Sequence, residues 1–220
     1  QKNNCGQLLC MSAIAFCLAI PSVYAGGFQL WEDDATGIGD VHAGDAASSD
    51  NAGTQFYNPA TMTDFDHMSV TSGAAAILLY TQVDAGAQVI NFPETTSPIS
   101  GDTQNIVPNF AIVKPLSDQW SVGFSESTPF GAATSYSENS TPLAYYTTDT
   151  TVRTINLNPN IAYKISPQWS VGAGFDAMYG SIEYDNLSLT NSLNGWGYGF
   201  NAGVYYKASE RWRLGLSYRS

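Results

Sequence analysis

The chain has 220 residues, of which 12% are charged, 13% aromatic and 44% apolar, with twenty Gly, thirteen Tyr and five Trp. Charged residues are about half as common as the roughly 25% of an average globular protein, while apolar content is ordinary. That balance excludes a coiled coil, a charged disordered tail and a bundle of membrane helices. A net charge of −11 excludes nucleic acid as a partner, because phosphate binding needs a basic face.

The first predicted element is an export signal over residues 1–25. Lys2 precedes an apolar stretch from Leu8 to Ile20, and Pro21, Ser22 and Ala25 follow, with cleavage expected near Ala25. The stretch is shorter than the about 20 apolar residues that span a bilayer. Cys5, Cys10 and Cys17 all lie within it, so the mature chain is expected to have no thiol, disulfide or Cys metal ligand. Cys10 and Cys17 follow bulky Leu9 and Phe16, which argues against a lipoprotein.

Residues 26–67 form a second unit. The stretch carries Glu32, Asp33, Asp34, Asp40, Asp45, Asp50, Asp64 and Asp66 without a Lys or Arg, and shows no sustained alternation. It is too polar to face lipid. A barrel of more than about ten strands has a lumen to fill, and a compact plug suits it. Asp33, Asp34, Asp40 and Asp45 have no calcium-loop spacing and read as a solvated acidic face.

From residue 68 onward the period is two. Trp169, Val171, Ala173, Phe175, Ala177 and Tyr179 alternate with Ser170, Gly172, Gly174, Asp176 and Gly180, with Met178 the exception. Ile155, Leu157, Pro159, Ile161 and Tyr163 alternate with Thr154, Asn156, Asn158 and Asn160. Trp196, Tyr198, Phe200, Ala202, Val204 and Tyr206 alternate with Gly197, Gly199, Asn201 and Gly203. Such runs mean half-buried strands. From Trp169 to Tyr179 the strand is roughly 33 Å long at about 3.3 Å per residue. Tilted by about 45°, it spans on the order of 24 Å, close to the roughly 25 Å apolar band of an outer-membrane barrel. Soluble strands, including those of a secreted sandwich, average only five or six residues. Aromatic residues bracket both ends, as at a bilayer interface.

Seven strands are predicted, at 69–83, 105–114, 119–134, 151–164, 169–185, 195–207 and 212–220. Turns 115–119, 165–168 and 208–211 are short and expected to be periplasmic; 84–104, 135–150 and 186–195 are expected to be outward loops. Lys114, Lys164 and Lys207 precede the short turns and are expected to anchor at the interface. Seven is an odd number and the last run is still a strand at Ser220, so residues 68–220 are expected to be the first part of a larger barrel.

Several segments resemble the FadL-type outer-membrane transporters of long-chain fatty acids and other hydrophobic compounds. They are Gly27-Phe28-Gln29-Leu30 after the signal, the stretch from Gly37 to Gly44, Asn58-Pro59-Ala60, VPNFAIVKPLSDQW, PFGAATSY (129–136) and LNPNIAYKISPQWSVGAGFDAMYG. The resemblance covers residues 25–185 and departs from the pattern at Trp31-Glu32-Asp33-Asp34. It implies a mainly β, antiparallel transmembrane barrel of fourteen strands with an N-terminal luminal plug, or hatch, in the outer membrane of a Gram-negative bacterium. It further implies capture of a long-chain fatty acid or other hydrophobic small molecule in an outer groove, transfer to an inner pocket, and lateral release into outer-membrane lipid at a kinked third strand. By the same resemblance Phe28 lies near the inner pocket, Asn58-Pro59-Ala60 holds the hatch, and the kink maps to Thr128, Pro129, Phe130 and Gly131.

The residues give that last mapping separate support, since Pro cannot donate to a ladder and Gly in a strand often marks a bulge. The plainer readings are an ordinary strand end for 128–131, a simple turn for 58–60 and a disordered terminus for Phe28. A carboxylate cargo needs a cation or donor, and the four arginines (Arg153, Arg211, Arg213 and Arg219) include none that the sequence assigns. An enzyme is not expected: His42 and His67 are the only histidines, neither on a strand, and no cofactor or metal motif occurs. The protein is expected to act as a monomer, and the competing functions are a porin for small polar solutes or an outer-membrane enzyme whose site lies elsewhere.

Overall fold

The computed structural model describes residues 30, 32, 34–83, 98–136, 146–209 and 211–220. The expected signal, Phe28 and much of two expected outer loops lie outside the described residues. Among those described, the strands are β1 Ser69–Leu79, β2 Gln82–Val83, β3 Ile99–Ser100, β4 Thr103–Pro115, β5 Trp120–Ser127, β6 Gly131–Ser135, β7 Asp149–Lys164, β8 Trp169–Asn186, β9 Leu189–Lys207 and β10 Arg213–Arg219. Seven follow one path, β1-β4-β5-β7-β8-β9-β10, with β6 also paired to β7 and β2–β3 a separate two-stranded ribbon. Along that path the strands follow chain order, and every pair is antiparallel. This is the predicted up-and-down meander.

The alternation read from the sequence sets the two faces. Phe175 and Phe200 lie opposite each other in the β8–β9 register and are 49% and 55% exposed. They are not buried between stacked sheets. Ile155, Ile161, Trp196, Tyr198, Leu214, Leu216 and Tyr218 are exposed on the same convex side. An apolar face this continuous needs a covering, and bilayer hydrocarbon provides it.

The other face is Ser, Thr, Asn and Gly, and the preceding segment packs on it. Residues 35–39 form helix α1, and Asp45–Ala47, Ala52–Phe56 and Pro59–Asp64 form three 3₁₀ turns. Short polar residues cap them: the Asp34 carboxylate accepts from the Thr36 and Gly37 N–H groups, and Asn51 Oδ1 accepts from Gly53 N–H at 2.6 Å. These helical pieces touch β1, β4, β5, β7, β8, β9 and β10. One short segment reaches seven successive strands because the sheet curls around it.

One device builds all three short turns. Ser117, Ser166 and Ser209 each accept backbone N–H bonds through Oγ from the residues two and three positions later. The third of these residues is Trp120, Trp169 or Trp212, so a Ser–x–x–Trp pattern closes each hairpin. Trp120 then packs on Tyr163 and Trp169 on Tyr206, with centroids 4.6 and 4.5 Å apart. Each pair joins neighbouring strands at the membrane rim.

Three expectations need correction. The stretch 119–134 is two strands, interrupted at Thr128–Phe130. The expected outer loop at 186–195 is mostly strand: β9 begins at Leu189, and the β8–β9 pairing continues to Asn186↔Leu189. The hairpin thus runs past the apolar band as a paired ribbon, because pairing satisfies the backbone as well as solvent does. Lys207 also departs from its expected role, since its Nζ lies 3.9 Å from Asp64 on the concave side.

The face assignment predicts that Phe175→Arg impairs assembly by about 2–4 kcal/mol, the cost of Arg at the bilayer midplane. Heat-modifiable electrophoretic migration reports the folded fraction. Wild-type migration of that variant would put Phe175 on the wrong face.

Candidate functional site

The interruption at Thr128–Phe130 begins with an unequal count. Ser127 pairs with Asn156 and Gly131 with Arg153, so three residues on one strand face two on the other. The extra residue is a bulge, and inward and outward parity changes across it. Pro129 has no N–H to give, and its carbonyl accepts instead from the Leu30 N–H at 2.9 Å. Phe130 is held by a side chain: Thr154 Oγ1 donates to its carbonyl (2.7 Å) and accepts from its N–H (3.0 Å).

The bulge separates two strands that otherwise belong together. Pairing of β4 with β5 stops at Phe110↔Glu126. Beyond it, the residues from Thr103 to Asn109 pair with β1 on one side and have no ladder partner on the other among the described residues. The opening is bridged at its outer end by Thr103 Oγ1 donating to the Ala133 carbonyl at 2.8 Å. Across its inner side runs the N-terminal segment, where the Glu32 carbonyl accepts from Asn109 Nδ2 at 3.3 Å. The Leu30 side chain lies where a Gly131 side chain would stand: a Cβ there would come 3.1 Å from Leu30 Cδ1.

The second predicted motif sits elsewhere, near the short turns. Asn58, Pro59 and Ala60 are fully buried. Asn58 Oδ1 accepts from Ala60 N–H at 3.0 Å, while Nδ2 donates to the carbonyls of Ala46 (2.6 Å) and Val204 (3.1 Å). One side chain therefore caps its own turn, ties it to an earlier turn and fastens both to β9. Glycines make the approach possible. A Cβ at Gly172 would lie 2.5 Å from Ala60 N and Pro59 C, and one at Gly203 would collide with Asn58 Oδ1. Gly123 and Gly215 similarly admit Met62 and the Ala46 carbonyl.

A polar web continues this seat, and the sequence reading gave its members no role. Asn160 Nδ2 donates to Gln55 Oε1 (3.2 Å), Asn158 Nδ2 to Asn201 Oδ1 (3.0 Å), and Asn201 Nδ2 to Asn160 Oδ1 (3.0 Å). Arg219 pairs with Asp176, donates to the Phe56 carbonyl at 2.6 Å and lies 4.1 Å above the Phe56 ring. Asn156 Nδ2 completes it by donating to Asp176 Oδ1 at 2.7 Å. Asp64 gathers Tyr205 OH at 2.8 Å and Arg213 at 3.9 Å. The only signal in the sequence was the inward row of Asn residues; their partners lie too far along the chain for spacing to show. His42, one of the two histidines, pairs with Asp45 and packs on Tyr57 with centroids 5.0 Å apart, a contact internal to the segment.

Long antiparallel strands with an apolar convex face, an aromatic rim and a turn-rich segment against a polar concave face define an outer-membrane β-barrel. Residues 16–220 match the family described as outer membrane protein transport protein (OMPP1/FadL/TodX), and the chain belongs to that family. It is 32% identical over 244 residues to the long-chain fatty acid transport protein of Escherichia coli O6:H1, covering 94% of this chain and 53% of that protein. It is 28% identical over 258 residues to outer membrane protein P1 of Haemophilus influenzae, covering 94% and 56%. A solved Pseudomonas aeruginosa FadL homologue superposes with a TM-score of 0.68 at 19% identity, over 89% of this chain and 53% of that one. The Ralstonia pickettii toluene transporter TbuX superposes at 0.60 and 15% identity, over 77% and 52%. Those two structures establish the fold, an antiparallel barrel. The family and the curated relatives place it in the outer membrane of the Gram-negative envelope. The chain spans about half the length of the curated relatives it matches. The relatives are transporters and outer-membrane proteins by name, which agrees with the expectation of a non-enzyme.

Asn58→Ala in the full-length protein removes the bonds to the Ala46 and Val204 carbonyls and to the Ala60 N–H, a loss of about 1–3 kcal/mol. Amide hydrogen exchange over residues 45–64 is expected to quicken while the strands stay protected. Unchanged exchange there would show that the motif does not fasten the segment.

Proposed function

We propose that the full protein carries hydrophobic small molecules, long-chain fatty acids or aromatic hydrocarbons, across the outer membrane by affinity alone and releases them sideways between β4 and β6. The observation that carries this reading is the interrupted ladder. Its freed backbone groups are met by Thr154 and by Leu30 rather than by a strand. Residues 26–67 act as a hatch in the lumen, fastened by Asn58-Pro59-Ala60. Phe28, two residues before Leu30 in the sequence, is the cargo-contacting residue of this reading. The arriving cargo displaces the Leu30 segment, and Thr128, Pro129, Phe130 and Gly131 frame the way out.

The energetics suit an apolar cargo. Each methylene removed from water is worth about 0.8 kcal/mol, so a chain-length pocket captures without an energy source. Sideways delivery keeps the tail out of water throughout. A porin for polar solutes needs an open lumen, and here Gln55, Asn58 and Met62 fill the inner wall near the short turns.

The test is a tether across the opening in full-length protein reconstituted in liposomes. With Leu30→Cys and Gly131→Cys, oxidation is expected to leave oleate binding intact and slow oleate transfer to the bilayer by an order of magnitude; reduction restores it. Equal transfer in both states would overturn sideways release. Sugar-driven liposome swelling without oleate binding would make the protein a porin.

A further inference from the structure

One acidic side chain stands on the wrong face. On β5, Ser121, Gly123, Ser125 and Ser127 point inward: Ser125 Oγ donates to Asn158 Oδ1, and a Cβ at Gly123 would strike Gln55. Glu126, between Ser125 and Ser127, therefore points outward. Its register partners are Phe110 on β4 and Leu157 on β7, both on the convex, lipid-covered side. Trp120, at the rim, is six residues away. That is roughly 20 Å of strand and about 14 Å of depth at a 45° tilt, near the middle of the roughly 25 Å band. Nothing around it compensates the carboxylate: among the described residues, no donor or cation reaches it.

Its place is as telling as its exposure. Phe110↔Glu126 is the last pair before β4 and β5 part, so Glu126 stands on the lower lip of the opening. On the luminal side at the same level lie Ser127 and Asn156, themselves paired in register. Both are at most 3% exposed, and Ser127 Oγ and Asn156 Oδ1 have no hydrogen-bond partner among the described residues. Unsatisfied polar atoms inside and an unpaired carboxylate outside flank one opening in the wall. An ionisable group within the membrane span is expensive and marks a pathway more often than a scaffold.

We propose that Glu126 is a specificity-determining residue of the sideways exit, accepting a hydrogen bond from the proton-bearing head of an amphipathic cargo, a protonated carboxylic acid or an alcohol. Ser127 and Asn156 hold the head on the luminal side, and Glu126 takes it over as the tail enters lipid. An ionised fatty carboxylate has no proton to donate at this acceptor, so an acid leaves with its proton. A plain hydrocarbon gains nothing from this lip. The assignment rests on the sideways-release reading above.

Full-length wild-type protein, Glu126→Leu and Glu126→Gln are compared in liposomes with three probes: oleic acid, oleyl alcohol and octadecene. Replacing a lipid-facing carboxylate by Leu favours assembly, so the variant is expected to fold, which heat-modifiable migration confirms. Glu126→Leu is expected to slow transfer of the acid and the alcohol by roughly threefold to tenfold, the worth of one net hydrogen bond, with octadecene unchanged. Glu126→Gln, which keeps an acceptor, is expected to restore the alcohol. Equal rates for all three probes in wild type and Glu126→Leu would overturn the assignment. So would an equal loss for all three, which would make Glu126 a shaping residue, or loss of an oligomer with transfer intact, which would make it a contact between copies. Wild-type protein that binds the acid but transfers none of the probes would instead remove the sideways-release reading itself.

Discussion

Hydrocarbon offers no hydrogen bonds, and that single constraint organises this structure. A backbone N–H or C=O facing the bilayer core must find its partner within the protein, at several kcal/mol for each failure. The meander meets the requirement by pairing each long strand with its neighbours, and the few places where pairing stops are where substitutes were built. Thr154 bonds both polar groups of Phe130, the Leu30 N–H takes the carbonyl of Pro129, and Thr103 reaches Ala133. Those substitutes are weaker in one respect. A ladder bond can break only by moving a whole strand, whereas the single bond to the Leu30 N–H involves no strand.

The same constraint explains how much was legible in the sequence. Period-two alternation is imposed by the two solvents on either side of the wall, so it survives along β7, β8 and β9 and reveals the faces residue by residue. The three Ser–x–x–Trp turns are equally local, with Ser and Trp within one hairpin bend. Strand ends were less visible. The pairing of β8 with β9 runs on to Leu189 because nothing in residues 189–195 interrupts it, although Asn and Gly there read as loop. Conversely, Pro129 and Gly131 announced a bend but not its consequence, since the gap it opens depends on β4 losing its partner. The anchor made by Asn58 was beyond local reading altogether: its Val204 partner is 146 residues away in sequence.

The inner wall divides into two regions of different character. Near the short turns, Gly123, Gly172, Gly203 and Gly215 let residues 45–64 lie directly on the strands. Contact that close leaves no room for water. Toward the opening, the Asn web and the Arg219–Asp176 pair take over, and their bonds bridge strand to strand as well as strand to the turn-rich segment. A charged pair in such a setting gains from having its remaining sites satisfied, and here Asn156 and the Phe56 carbonyl do so. The result is a segment fastened to the strands along residues 45–64.

Under the proposed function the wall must be sealed against water and yet pass a greasy molecule, and one kind of bond cannot do both. Strand pairing seals, and it is continuous from β5 through β10 on the side away from the gap. At the gap, closure rests on the Leu30 side chain over Gly131 and a few single hydrogen bonds. An apolar cargo can replace such a side chain at little net cost, because one hydrocarbon contact is exchanged for another and no strand is unpaired. Under the proposed release water cannot make that exchange, because it would have to wet the Leu30 side chain. On that proposal, selectivity for apolar matter follows from how the opening is closed, before any residue that recognises cargo is considered.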